Sequence, residues 1–574
     1  MGKDLYRQVI KTGLQPEIVK LLPVFLLFCL LTPGISAVVI TEFCPDTYLK
    51  DDPDEYVVLS GTGSLEGIIV SDGEGGFRFP PGSRIEGLLT VAYNGKAYAN
   101  VHDRQPDYEF YNFSPDIPDV APSGPFRLAN SGDELMLYDQ ENLVQKVSWP
   151  ADVRPREGQV HFMDNGTWDT RVLMLGQSRI APANFTGVTG VCFVSPDCSL
   201  ELYLNCIEQA DHEILLNVYE FSSPIMADAL TSARKRGVNV TVLVEGGPVG
   251  GITPEGNAIF ERLTRNNITV YRMGTIGDNH APYRYNHAKY IVADSLYLFI
   301  TSENFKGNGF PAEGKSGNRG WGVCFIDPGV AGYFRDLFLS DINGKGISPI
   351  TGKAGPMEPD GGASHAKEFS PQRFESAKVT PVLSPDTSYL ISDLLCSATS
   401  RIDIEQAYIS NESKGVPNRF LSNAINASRR GVQVRVLLDS YWFNTEGEDD
   451  NDEMMAYINQ VAVSEHLPLE ARCAELDRNE LEKIHNKGVI VDRNKVLVSS
   501  INWNYNSPTF NREAGVIIEQ PEAAEYFGAV FEDDWGKSTG SDKTQDTTVG
   551  PLKIGIAVLV VALLLLLYWR RKNN

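Results

Sequence analysis

One pattern occurs twice in this chain, and it constrains the fold more than any other feature. The first copy is His287-Ala288-Lys289, Asp294 and Thr301-Ser302-Glu303-Asn304. The second is His485-Asn486-Lys487, Asp492 and Ser499-Ser500-Ile501-Asn502. In both, the Lys follows the His by two, the Asp follows the Lys by five, and Ser and Asn recur at equal later offsets. Ordinary residue frequencies would give the string His-x-Lys-x4-Asp about 0.02 times in a chain of this size. Two copies therefore point to a duplicated unit and to one site assembled from two similar halves.

The flanking periodicity agrees. From about residue 190 the chain alternates apolar strands with amphipathic helices. Strands are expected at 213–219, 238–245, 268–272, 287–293, 296–302 and near 322–326, with helices at 224–236, 254–265 and near 330–341. The order returns as strands at 402–408, 432–439, 469–474, 485–491, 496–500 and 515–519, with helices at 418–430, 453–464 and 523–535. Ser195-Pro196-Asp197 and Ser384-Pro385-Asp386 open the two stretches, 11 and 12 residues before Cys206 and Cys396. The expected fold class is α/β: half 1 over 190–342, a Gly/Pro-rich linker over 343–378, and half 2 over 379–536.

Residues 38–150 read differently. Short β-prone runs at 38–43, 56–59, 67–70, 88–92 and 134–138 are broken by Gly, Pro and Asp, and no amphipathic helix stands out. A small β-sandwich is expected. Val39-Ile40-Thr41-Glu42-Phe43, Glu55-Tyr56-Val57-Val58-Leu59 and Leu128-Ala129-Asn130-Ser131-Gly132-Asp133-Glu134 resemble a lamin-tail-like domain, which implies an accessory module without chemistry of its own. Asp51, Asp52, Asp54 and Glu55 have a calcium-binding composition, with a solvated loop the simpler expectation.

The ends suggest a topology. Lys3, Arg7, Lys11 and Lys20 precede an apolar run, Leu21 to Leu31, and then Gly34, Ser36 and Ala37, the layout of a secretory signal peptide over 1–37. After a polar linker over 537–551, an uncharged run from Ile554 to Trp569 spans roughly 24 Å as a helix. With Leu552 and the Lys553 stem added, 552–569 reads as a transmembrane helix. Arg570-Arg571-Lys572 suit its cytoplasmic side. The expected location is the cell membrane, single-pass, with the catalytic part outside the cytoplasm. Seven Asn-x-Ser/Thr sequons, from Asn112 to Asn426, all fall in that part. Eight cysteines show no zinc spacing, and Cys192, Cys198 and Cys206 sit close enough in sequence for a disulfide among them in an oxidising compartment. The net charge of −23 argues against a protein that coats nucleic acid.

His and Lys at i and i+2 share one face of a strand. If the hairpin centres on Asp294-Ser295, His287 pairs with Ser302; by the same arithmetic His485 pairs with Ser500. Each half would then present imidazole, ammonium, hydroxyl and amide, a set suited to holding a phosphate. Asp294 and Asp492 fall at the bends, where Asp commonly bonds backbone, so a supporting role is expected for them. Two facing patches give a mechanism for phosphodiester transfer. One His attacks phosphorus and the other handles the leaving-group proton, while Lys289, Lys487, Asn304 and Asn502 stabilise charge. No metal or other cofactor is expected.

These residues resemble the phospholipase D superfamily, whose signature pairs His-x-Lys-x4-Asp with Gly/Ser-Ser-x-Asn; Thr301 and Ser499 replace the frequent Gly. The resemblance covers about 190–536 and implies a two-lobed α/β catalytic unit with the site where the lobes meet. It also implies an acidic residue about ten past the Asn. Glu513, in Asn511-Arg512-Glu513, fits and is expected beside His485, raising its pKa. The first copy reads Asn318-Arg319-Gly320 and lacks the acid. That asymmetry makes His287 the expected nucleophile and His485 the acid/base. The expected activity is a cell-surface phosphodiesterase that hydrolyses or transfers phospholipid headgroups through a phosphohistidine. The alternative is an extracellular nuclease using Arg234, Lys235, Arg236, Arg284, Lys306, Arg429 and Arg430; a non-catalytic binding protein ranks behind both. The partners implied are a phosphodiester substrate and the membrane, with no protein partner.

Overall fold

The computed structural model describes residues 38–538 except 150–155, 165, 278, 358–361 and 447–449. The expected signal peptide and transmembrane helix lie outside the described residues. Among the described residues no helix is long and apolar enough to cross a membrane.

The chain divides into two units. In the first, Val39–Cys44, Tyr56–Ser64 and Arg84–Ala92 pair in a seven-stranded sheet. Ile68–Ser71 and Asp133–Asp139 pair in a five-stranded one. Inward residues of both sheets, including Ile40, Leu59, Val70, Phe77, Leu135 and Leu137, share one core. Three details depart from the sequence reading. A helix, Gly95–His102, carries an Asn94 cap. Gln159–Asp164 lies beyond 150 and pairs with Val39–Cys44. Asp54 and Glu55 are buried rather than solvated.

The second unit holds one 16-stranded sheet. Its strands are β1 (Phe185–Ser195), β2 (Glu213–Val218), β3 (Asn239–Glu245), β4 (Thr269–Met273), β5 (Tyr290–Ala293), β6 (Tyr297–Thr301), β7 (Asn318–Ile326) and β8 (Ile347–Pro349). They continue as β9 (Gln372–Ser384), β10 (Arg401–Gln406), β11 (Gln433–Leu438), β12 (Leu469–Cys473), β13 (Lys483–Ile484), β14 (Lys487–Val491), β15 (Lys495–Ser499) and β16 (Glu513–Glu519). The order is β8-β4-β3-β2-β5-β6-β7-β1-β9-β16-β15-β14-β10-β11-β12, with β13 beside β7. Read outward from the antiparallel β1–β9 pair, the two sides run through equivalent strands.

In each half three strands run parallel, β2-β3-β4 and β10-β11-β12, and helices pack on the sheet; β2 and β3 are mostly apolar, whereas β10 and β12 alternate apolar with charged residues. Those helices are α1 (Ser199–Glu208), α2 (Pro224–Arg236), α3 (Pro254–Arg265), α4 (Pro328–Ile342), α5 (Leu390–Cys396), α6 (Arg419–Arg429), α7 (Asn451–Glu465) and α8 (Pro521–Gly536). Helix α2 shows why they start and stop where the sequence indicates. Ser223 caps it, Pro224 opens it, and Gly237 ends it at φ 104°, a conformation open to residues without a Cβ.

The expectations missed β1 and the start of β9. Strand β9 begins at Gln372, inside the range read as linker, and β8 also falls there. Both run through residues with little alternation, so a period-two pattern is not visible in them. The seven cysteines among the described residues are all free thiols, so none of the disulfides that spacing allows among Cys192, Cys198 and Cys206 is formed in this structure.

Candidate active site

The two histidines lie at the edge of the sheet where the parallel strands end, the usual location of ligands in open α/β sheets. Each is pinned by its own half and by the other. The N–H of Asn286, just before His287, donates to Glu245 Oε2 at 2.6 Å, at the end of β3. The N–H of Ile484, just before His485, donates to Asp439 Oδ1 at 2.7 Å, just past β11. Burial lifts Glu245 to about 7 and Asp439 to about 6 despite these bonds. The His287 N–H then donates to the Arg512 carbonyl of the second half, and the His485 N–H to the Arg319 carbonyl of the first. Neither histidine is therefore inside the strand expected for it: β5 starts at Tyr290 and β14 at Lys487.

The hairpin register also differs. Ala293 pairs with Tyr297 and Val491 with Lys495, leaving three-residue connections, 294–296 and 492–494. That is one residue longer than assumed, so neither serine falls opposite the histidine of its own half. The Ser302 hydroxyl accepts the Trp321 N–H at 3.1 Å. The Ser500 hydroxyl donates to Glu513 Oε2 at 2.7 Å.

Glu513 sits elsewhere than expected. Its Oε2 lies 2.8 Å from Nδ1 of His287, across the halves, not beside His485. Ser500, Ser507 and Asn511 also donate to this carboxylate, at 2.7, 2.8 and 3.0 Å. His287, the bond it makes and Lys289 hold the carboxyl below its usual range although it is fully buried. His485 has a carboxylate of its own, which the sequence reading missed: Glu303 Oε1 lies 3.2 Å from its Nδ1. A signal was available, because the copies read Thr-Ser-Glu-Asn against Ser-Ser-Ile-Asn and Asn-Arg-Gly against Asn-Arg-Glu.

Burial lowers the pKa of His287, with Glu513 opposing it. His485 falls well below the ordinary value through burial and the charges of Lys487, Lys483, Lys289 and His287. The motif lysines are fully buried. Each Nζ donates to the carbonyl of its own histidine. Desolvation lowers Lys289 to about 8 and Lys487 well below its usual value. Tyr219, also missed, packs its ring against His287 with centroids 4.7 Å apart, and its hydroxyl accepts the Val249 N–H. Asn304 Nδ2 donates to Glu220 Oε2 at 3.1 Å. The side-chain oxygens of Asn304 and Asn502 are buried without a protein partner.

Asp294 and Asp492 are not in this cluster. They sit at the opposite ends of β5 and β14. Asp294 accepts the N–H groups of Asp211, His212 and Glu213. Asp492 accepts those of Thr399, Ser400 and Arg401, plus the Thr399 and Ser400 hydroxyls. Their part is to lock each hairpin to the start of its neighbouring strand.

Two imidazole–carboxylate pairs flanked by buried ammonium groups equip an α/β protein to work on a phosphodiester. Residues 203–342 and 391–535 match the family described as cardiolipin synthase, PLD-like domain. A phospholipase D of Rickettsia felis is 26% identical over 206 residues, covering 35% of this chain and 84% of that protein. One of Rickettsia conorii is 29% identical over 130 residues, covering 22% and 57%. Among solved structures, phosphatidylserine synthase of Haemophilus influenzae Rd KW20 aligns with a TM-score of 0.45 at 11% identity, over 61% of this chain and 87% of that one. The phospholipase D family member Nuc of Salmonella typhimurium aligns at 0.24 and 22%, over 30% and 99%. The chain belongs to the phospholipase D superfamily, and it is an enzyme of the phosphodiesterase and phosphatidyltransferase kind.

Proposed function

We propose that this enzyme hydrolyses or transfers phospholipid headgroups through a covalent phosphohistidine on His287. The observation that carries the reading is the pair of Nδ1–carboxylate contacts, His287 with Glu513 and His485 with Glu303. A carboxylate acceptor fixes the Nδ1–H tautomer and leaves Nε2 free for chemistry. Glu513, held ionised by its donors, suits the histidine that must carry positive charge once phosphorylated. Glu513 thus favours His287 as nucleophile by touching it, not by lying beside His485.

In the first step Nε2 of His287 forms a bond to phosphorus as the ester P–O bond breaks. The Nε2 proton of His485 passes to the leaving oxygen. In the second step water or an alcohol gives a proton back to His485 Nε2 as its oxygen bonds phosphorus, and the P–N bond breaks. Lys289 and Lys487 supply positive charge for the non-bridging oxygens.

The phospholipid reading is supported by what occupies five of the seven basic residues that a nuclease would need. Lys306 pairs with Glu220, Arg429 with Glu465, and Arg234, Arg236 and Arg430 donate to backbone carbonyls. The apolar run at 552–569 would tether the unit at a membrane, and the leader at 1–37 would deliver it outside the cytoplasm. The test sets the purified protein against phosphatidylcholine vesicles, bis-p-nitrophenyl phosphate and single-stranded DNA, with His287→Ala and His485→Ala as controls. Lipid cleavage lost in both variants is expected, and a phosphatidyl-alcohol product on adding ethanol would indicate transfer. DNA cleavage without lipid cleavage overturns the substrate assignment.

A further inference from the structure

We infer that Glu303 is the positioning residue of the acid/base histidine, a carboxylate supplied from the neighbouring strand to do for His485 what Glu513 does for His287. The inference rests on the proposed phosphodiester reaction and names a residue that the family's motif positions do not supply.

Three observations converge. The first is contact: Glu303 is 1% exposed, and its Oε1 faces Nδ1 of His485 at 3.2 Å. The second is shared support. Asn318 Nδ2 donates to Glu303 Oε2 at 2.9 Å, and its counterpart Asn511 donates to Glu513 Oε1 at 3.0 Å. Equivalent asparagines thus hold carboxylates that come from non-equivalent positions. The third is space. A Cβ on Gly320 would lie 2.4 Å from Glu303 Oε1. Gly320 corresponds to Glu513 in the second half, and Ile501 corresponds to Glu303. Each half therefore carries one acid at one of the two positions, and the glycine is what admits the carboxylate from the strand beside it.

The charged groups facing this pair are Lys487, Lys483 and Lys289 around Glu303, with the same three and His287 around His485. Lys487, Lys483 and Lys289 disfavour a proton on His485, and Glu303 is the carboxylate in contact that favours one. Its role is to keep His485 protonated on Nδ1 and able to give its Nε2 proton to a leaving alkoxide.

The test is a leaving-group comparison within each variant. An alkoxide needs the proton, whereas p-nitrophenolate leaves without it. In Glu303→Gln, turnover of phosphatidylcholine is expected to fall about 100-fold and that of bis-p-nitrophenyl phosphate less than about threefold. The alkaline limb of kcat/KM is expected at lower pH, since removing the anion weakens His485 as a base. Glu303→Ile with Gly320→Glu, which copies the second half, is expected to recover the lost ratio; Gly320→Glu alone is not. Equal loss on both substrates, or no loss on either, overturns the inference. NMR titration of His485 in wild type and Glu303→Gln reads the pKa without turnover, and an unchanged value overturns it too. If the wild type cleaves none of the substrates, the reaction itself is wrong, and the NMR comparison still decides the role of Glu303.

Discussion

The two halves hold their histidines by the same backbone logic but take their carboxylates from different strands. In the second half the acid is the first residue of β16, and Ser500, Ser507 and Asn511 surround it. In the first half the equivalent position is Gly320 and the acid comes from Glu303, just past β6, with Asn318 as its side-chain support. Since each half serves the other half's histidine, the heavily supported carboxylate meets His287 and the lightly supported one meets His485. The same group at nearly the same place thus comes with different degrees of fixation: burial pushes the Glu303 carboxyl up, while its donors hold Glu513 down, a difference that fits the two tasks proposed for the histidines.

The largest expected effect separates those tasks. His287→Ala and His485→Ala should each lower kcat/KM about 10⁴-fold. With bis-p-nitrophenyl phosphate, only His485→Ala should retain a phosphorylated histidine visible by intact mass. An adduct in His287→Ala instead would reverse the assignment. Next is Glu513→Gln, expected to cost about 10²–10⁴-fold on lipid and activated substrates alike, because it misplaces the nucleophile whatever the leaving group. A loss confined to lipid would make the two carboxylates equivalent.

Lys289 gives a pH test. Its buried ammonium loses its proton near 8, so it is charged below that pH and neutral above it. The predicted result is a fall in kcat/KM above about pH 8 that is weakened in Lys289→Arg. The smallest effect concerns the hairpin bends. Asp294→Asn and Asp492→Asn should lower stability by ~1–2 kcal/mol, more for Asp492 with its two extra hydroxyl donors, while kcat stays within about twofold. Chemical denaturation beside steady-state rates would show it. A large loss of kcat in either would return these aspartates to the site.

Much of this was legible in sequence because it depends on local pattern. Helices α2 and α3 are bounded as their caps and periodicity indicate. The pairs His287/Lys289 and His485/Lys487 lie where a repeated site must be. What could not be read depends on long-range placement. Hairpin register hung on one residue in the 294–296 connection, and that residue turns Ser302 from the histidine to Trp321. Chain proximity points Glu513 to His485, whereas the sheet brings it to His287 across the halves. Glu303 is hard to read for a related reason: it stands at a variable position of a motif, and its contact with His485 depends on the missing Cβ of Gly320.

The crossing extends below the site. Arg319 bonds Asp197 of its own half at 2.9 Å and Asp534 in α8 of the second half at 2.8 Å. Arg512 bonds Asp386 at 2.9 Å and Asp341 in α4 of the first half at 2.9 Å. All are buried, and removing one partner of such a set costs about 3–5 kcal/mol. Seen from the ribosome, the site is finished late. The first half emerges with Arg319 lacking Asp534, His287 lacking Glu513, and no β16 to complete the sheet. The cluster is complete only once β16 and α8 are in place, so a chain cut before Glu513 is expected to be inactive.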